Sequence, residues 1–134
     1  MPVIEGTGTL KTAVGEYDFA VDGGAIGAIT MRGSGPLGGV IPNGAVILGG
    51  YIEIDTNFTT GTAATMAISI EGANDLQTAT VVSGAPYSTT GRKAIVPVFT
   101  AATSIKTTAQ RSLTATIATG TVTAGKGRVV VMYR

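Results

Sequence analysis

Glu53 and Asp55 stand two residues apart in a stretch where the apolar Ile52 and Ile54 alternate with them. Alternation with period two places both carboxylates on one face of a strand. A carboxylate pair is the equipment of glycoside hydrolysis, and carboxylate oxygens are the ligands that calcium prefers. Asp18 and Asp22, flanking an expected first hairpin, form a second acidic pair. Against both readings, alternating acids on a half-buried strand are what a solvated face consists of, and no loop has calcium-hand spacing. Gly120 to Gly127 (GTVTAGKG) follows the phosphate-loop pattern until Gly127 replaces the hydroxyl residue that would bind magnesium, and a strand is expected where a helix should start. Gly6 to Thr12 fails because Leu10 occupies the position of the second glycine. Cysteine and histidine are both absent. That excludes thiolate and imidazole zinc sites, Ser-His-Asp and Cys-His nucleophiles, and a disulfide framework. The sequence therefore predicts no catalytic residue, no metal and no cofactor.

Binding chemistry is sparse as well. Nine Lys+Arg oppose eight Asp+Glu, and Arg92, Lys93, Lys106, Arg111 and Arg128 are scattered instead of clustered. Neither nucleic acid nor an anionic membrane is an expected partner. No apolar run approaches the ~20 residues of a membrane span. Aromatic residues make up 5% and Trp is absent, which disfavours stacking platforms for sugars or bases. A receptor- or glycan-binding head would have to gather Tyr51, Asn74-Asp75 and Tyr87 at one end. Asn57-Phe58-Thr59 fits the glycosylation sequon, but Met1 to Leu10 lacks the basic and apolar regions of a secretory signal, so the match is read as incidental. Charged residues are only 13%, against about 25% in an average soluble domain. So few charges suit a surface that packs against copies of itself or onto a larger shell, and equally a compact β domain with a Thr-rich surface.

The elements that position these residues read as strands. Twenty glycines and frequent threonines argue against helices, and no 3.6-residue apolar stripe is sustained. Tyr17, Phe19 and Val21 share one face of a first strand that turns at Asp22-Gly23-Gly24, and Ala25 to Met31 forms a second. Arg32 to Pro36 breaks the chain. The longest strand runs from Ala45 to Asp55, with Gly49-Gly50 marking a bulge or a close backbone approach. Thr59 to Thr62 is a loop. Met66, Ile68 and Ile70 alternate on the next strand, followed by a turn from Gly72 to Leu76. Ala79 to Val82 and Lys93 to Phe99 are weaker strands around a Ser83-to-Arg92 loop, and Pro97 assigns the second to an edge or a bulge. Leu113, Ala115 and Ile117 alternate again, Thr123-Ala124-Gly125 turns the chain, and Arg128 to Arg134 closes it with Val129, Val131 and Tyr133 on one side. Eight or nine short strands at this spacing predict an all-β, antiparallel, jelly-roll-like sandwich. With 134 residues, one domain is expected over 15–134, preceded by a possible N-terminal arm over 1–14.

Two stretches carry a resemblance. Ile41-Pro42-Asn43-Gly44-Ala45 leads into a strand ending at Thr56-Asn57-Phe58-Thr59. Later, Thr108-Ala109-Gln110-Arg111-Ser112-Leu113-Thr114-Ala115-Thr116 is followed by Val122-Thr123-Ala124-Gly125-Lys126. These turn-and-strand patterns resemble small virion structural proteins of tailed bacteriophages over about two thirds of the chain, from Val40 onward. The resemblance implies a capsid decoration (cement) protein or a fibre base. It implies the major capsid protein as partner, self-association favouring a trimer, and a place on the capsid surface after synthesis in the host cytoplasm. It supplies no catalytic residue. Pro2, Val3, Ile4 and Leu10 are the expected capsid or intersubunit contacts.

Overall fold

The computed structural model describes residues 10–34, 39–73, 75–95 and 105–134. In chain order these form β1 (Lys11–Asp18), α1 (Phe19–Asp22), β2 (Gly27–Thr30), β3 (Arg32–Ser34), β4 (Val40–Ile41), β5 (Ile47–Thr60), β6 (Thr65–Ser69), β7 (Gln77–Val81), β8 (Gly91–Ala94), β9 (Arg111–Ser112), β10 (Thr114–Ala118) and β11 (Val122–Tyr133). Among the described residues one sheet has the order β3-β1-β11-β5-β8, a second the order β2-β10-β6-β7, and β4 and β9 form a small ribbon. Every pairing is antiparallel.

The two large sheets pack face to face because strand alternation gives each one an apolar inner surface. Ala13, Tyr17, Ile52, Ile54, Val129 and Val131 point inward from the first sheet. Met66, Ile68, Ala115 and Ile117 meet them from the second, all in one buried cluster. Full burial of one such Ile contributes about 1.5–3 kcal/mol. Tyr87 is buried too, although it lies in a loop rich in Gly, Pro and Ser. Its hydroxyl donates to the Met66 carbonyl (3.0 Å), and its own carbonyl accepts from Phe58 N (3.0 Å), so the loop is pinned to both sheets. The Phe58 ring sits between Tyr17 and Tyr87, with centroids 5.4 Å and 5.5 Å away.

Several elements differ from the sequence expectation. The first strand ends at Asp18, not beyond Val21. The Asp18 carboxylate accepts from Ala20 N (3.0 Å) and the Asp22 carboxylate accepts from Asp18 N (2.8 Å). This reciprocal capping winds residues 19–22 into a helical turn. Arg32–Ser34 pairs with β1 as an edge strand instead of breaking the chain. Residues 11–14, assigned above to an arm, pair with Tyr133 through Val130 inside the sheet. β5 runs past Thr59, to Thr60. The expected turn at Thr123–Gly125 is a run of bulges inside the continuous β11, with register shifts against β5 from Val122 to Gly127. Gly125 has φ 147° there, and the Phe58 ring fills the space where a Cβ would stand. At Gly49-Gly50 the close backbone approach is present, since a Cβ on Gly50 would lie 2.1 Å from the Val130 carbonyl oxygen, while the bulge falls one residue earlier, at Leu48, where the register shifts between Met132 and Tyr133. β8 is an edge strand, as expected, while Pro97 and Phe99 lie outside the described residues.

Candidate functional site

The Glu53 and Asp55 carboxylates are engaged in a row of ion pairs. Register places Arg32 (β3) opposite Glu16 (β1), Glu16 opposite Arg128 (β11), Arg128 opposite Glu53 (β5), and Glu53 opposite Arg92 (β8). Charge alternates strand by strand across the outer face of the five-stranded sheet. The contacts are Arg32–Glu16 at 3.8 Å, Arg128–Glu53 at 3.6 Å and Arg92–Glu53 at 3.7 Å, with Arg128 also 3.8 Å from Asp55. Arg92 also stacks over the Tyr51 ring, 4.5 Å from its centroid. Glu53 and Asp55 are therefore neighbours of arginines on this outer face. A cleft of about 190 Å³ opens beside the row, lined by Glu16, Asp18 and Asp55 and by Arg32, Lys126 and Arg128. Three acids against three bases select neither a cation nor an anion.

The second acidic pair is local architecture. Asp18 caps α1, and Asp22 accepts from Arg32 Nε and Nη2 at 3.2 Å each. Burial, with Asp22 and Asp18 nearby, pushes the Tyr17 phenol up to about 12, so it stays a donor, to the Gly23 carbonyl. Sequence reasoning missed a third arrangement. Glu71, at the end of β6, takes a bidentate pair from Arg111 (3.0 and 2.9 Å) and two more hydrogen bonds from Thr108 N and Oγ1 (2.9 Å each). The Arg111 hydrogen bonds, ahead of those from Thr108, hold its carboxyl at about 2. No group of three His, Cys, Asp or Glu able to hold a metal ion occurs among the described residues.

The residues of the glycan-binding reading do not gather. Tyr87 is in the core, Tyr51 lies under Arg92 in mid-strand, and Asp75 accepts from Ile70, Glu71 and Gly72 N (2.8–2.9 Å) to close its own turn. Asn74 lies outside the described residues. The phosphate-loop look-alike is the bulged part of β11. No helix among the described residues is long and apolar enough to cross a membrane.

What remains are surfaces. The outer face of the four-stranded sheet carries Ala28 and Thr30, Thr114 and Thr116, and Thr65 and Ser69 on β2, β10 and β6, while Ala67 on the same face is buried. It has no charge on those strands. One end of the sandwich, where β1 begins and β11 finishes, has an open groove of about 370 Å³ lined by Lys11, Val40, Pro42, Gln110 and Tyr133. Leu10 and Leu48, about half exposed, lie at this end. Of the expected contact residues, Leu10 is thus at the surface, while Pro2, Val3 and Ile4 lie outside the described residues. At the opposite end, the turn after β1 exposes Val21 and Ile26. The sequence signal for Val21 pointed inward, because alternation was extended through a segment that is helical.

No protein-family model matches this sequence, and no curated protein does. Solved structures do share its fold. A chain of the cyanophage Pam1 capsid asymmetric unit aligns with a TM-score of 0.64 at 22% identity, over 99% of this chain and 89% of that one. A chain of the acidic stable capsid structure of Helicobacter pylori bacteriophage KHP30 gives 0.60 at 13% identity, over 93% and 86%. A chain of the capsid of Ralstonia phage GP4 gives 0.55 at 21% identity, over 99% and 88%.

Proposed function

We propose that this chain is a bacteriophage capsid decoration (cement) protein, which binds the outer capsid surface across neighbouring subunits and stiffens the head. The observation that carries this reading is the near end-to-end match with the Pam1 capsid chain, 99% of one and 89% of the other. A likeness over both whole lengths is one of complete architecture, not of a shared motif. The uncharged Thr/Ala face supports the same reading, because it can be covered without stripping water from ions. On the opposite face the charges already satisfy one another. The work is done by buried apolar area and main-chain pairing at subunit edges, with no bond chemistry. Several modest contacts made together, by a trimer on several capsid subunits, give avidity that no single contact has. The partners are the major capsid protein and further copies of this chain. Its place is the virion surface after synthesis in the host cytoplasm. Pro2, Val3, Ile4 and Leu10 are assigned to capsid or intersubunit contact.

Capsids lacking this chain provide the test. Added purified protein should sediment with them and raise the temperature at which the genome is released. Deleting residues 2–10 should weaken retention. Full-length protein that stays in the supernatant rules out the decoration role. Normal retention of the deleted form rules out the arm alone.

A further inference from the structure

Asn43-Gly44 is a dipeptide with chemistry of its own. A glycine has no side chain to screen its backbone nitrogen, so that nitrogen can attack the amide carbon of a preceding asparagine. The bond from Gly44 N to Asn43 Cγ forms and the bond from Cγ to Nδ2 breaks. The Gly44 amide proton leaves with the departing nitrogen as ammonia. Water then opens the cyclic imide on one side or the other, giving aspartate or isoaspartate. Water is the one co-reactant, and nothing is oxidised or reduced.

Both residues are exposed, and Gly44 has φ 82°, the conformation of the third residue of a type II turn. The turn does not close on itself. Thr107, a buried residue, stands in its gap: Ala45 N donates to Thr107 Oγ1 (2.9 Å), and Oγ1 donates to the Pro42 carbonyl (2.6 Å). The hydroxyl thus bridges the two groups that would otherwise bond each other across the turn. The main chain of the same residue holds the turn again. Gly44 N donates to the Thr107 carbonyl (2.9 Å), and Thr107 N donates to the Ala45 carbonyl (2.9 Å). The nitrogen that must attack is therefore already committed as a donor, and both arms of its turn are pinned.

We infer that Asn43 is a deamidation site latched by Thr107: the reaction proceeds only in molecules whose turn has opened, and Thr107 sets how often that happens. The product does not fit the old place. Aspartate adds a charge to the turn, and isoaspartate adds a carbon to the main chain, which displaces Gly44 N and Ala45 N from their partners on Thr107. Asn57, the other asparagine among the described residues, is followed by the bulky Phe58, whose N–H is held by the Tyr87 carbonyl. It serves as an internal control. The inference concerns this chain's own turn and holds whatever the protein binds.

Opening precedes the chemistry, so the latch must slow deamidation by the same factor by which it protects the Gly44 amide from hydrogen exchange. Both rates are read on the full chain, aspartate and isoaspartate at position 43 by peptide mapping and exchange by NMR. Folded wild type should deamidate roughly a hundredfold more slowly than the urea-unfolded chain. Thr107→Val removes the two bonds of the hydroxyl and should raise both rates roughly tenfold. Thr107→Ser keeps the hydroxyl and should restore both, and Asn57 should lag behind Asn43 in every sample. If the Val variant loses its sheet signal in circular dichroism, wild type in urea below its unfolding transition replaces it, and the two rates should climb together. Folded wild type that deamidates at the unfolded rate overturns the inference. So does a folded Thr107→Val variant with both rates unchanged, or faster Gly44 exchange, in that variant or in urea, without a matching rise in deamidation.

Discussion

Replacing Gly125 with Ala tests the packing logic of the domain at its most constrained point. The residue has φ 147°, which an L side chain rarely adopts, and its Cβ would lie 2.5 Å from two carbons of the Phe58 ring. Phe58 cannot retreat easily, because Tyr17 and Tyr87 hold it on both sides. Backbone strain of about 1–2 kcal/mol and overpacking of about 1–3 kcal/mol add to roughly 3 kcal/mol. For a chain of this length that corresponds to a fall in Tm of roughly 10–15 °C. Trp is absent, so urea or thermal unfolding is best followed by circular dichroism of the sheet signal. A double-mutant cycle with Phe58→Leu separates the two contributions. With the ring gone, Gly125→Ala should cost only the backbone part, leaving a coupling of about 1–2 kcal/mol. A cost below about 1 kcal/mol for Gly125→Ala, or strict additivity with Phe58→Leu, would refute the claim that the ring and the glycine share one space.

Other outcomes follow from the same structure. Glu71 has a folded acidity depressed to about 2 by Arg111 and Thr108, so its stabilising contribution is complete above its ordinary value and is lost as pH falls toward 2. The Tm difference between wild type and Glu71→Gln should therefore shrink between pH 5 and pH 2. A constant difference contradicts the assignment. Thr119 is β-branched at φ 70°, so Thr119→Asn should raise stability by about 0.5–1 kcal/mol in chemical unfolding. Glu53 bridges Arg92 and Arg128 at a half-exposed surface, so Glu53→Gln should cost only about 0.5–1 kcal/mol. That cost should fade as salt is added.

The strands with clean alternation were legible from sequence: Ile52 and Ile54, Met66 and Ile68, Ala115 and Ile117, and Val129, Val131 and Tyr133 all face the core as their spacing predicts. What escaped depends on partners distant in the chain. Tyr17, Phe19 and Val21 satisfy a two-residue period, but carboxylates at Asp18 and Asp22 offer the backbone local hydrogen bonds that a period count does not register. Thr123-Ala124-Gly125 has turn composition, yet its glycine answers to a ring on another strand. Tyr87 sits among residues that usually mark a surface loop, and only its contacts with Phe58 and Met66 make it core. The charge row needs four strand registers to be seen, and no single stretch of sequence contains more than one of them. Absence of His and Cys was the most informative compositional fact, since it removed whole classes of chemistry before any geometry was known.

The proposed role is tested most directly by counting this chain in purified phage particles, by quantitative mass spectrometry against the major capsid protein. The decoration role predicts a ratio near one to one. A few to some tens of copies per particle would assign the chain to a tail, collar or fibre, and its absence from particles would contradict the virion role altogether.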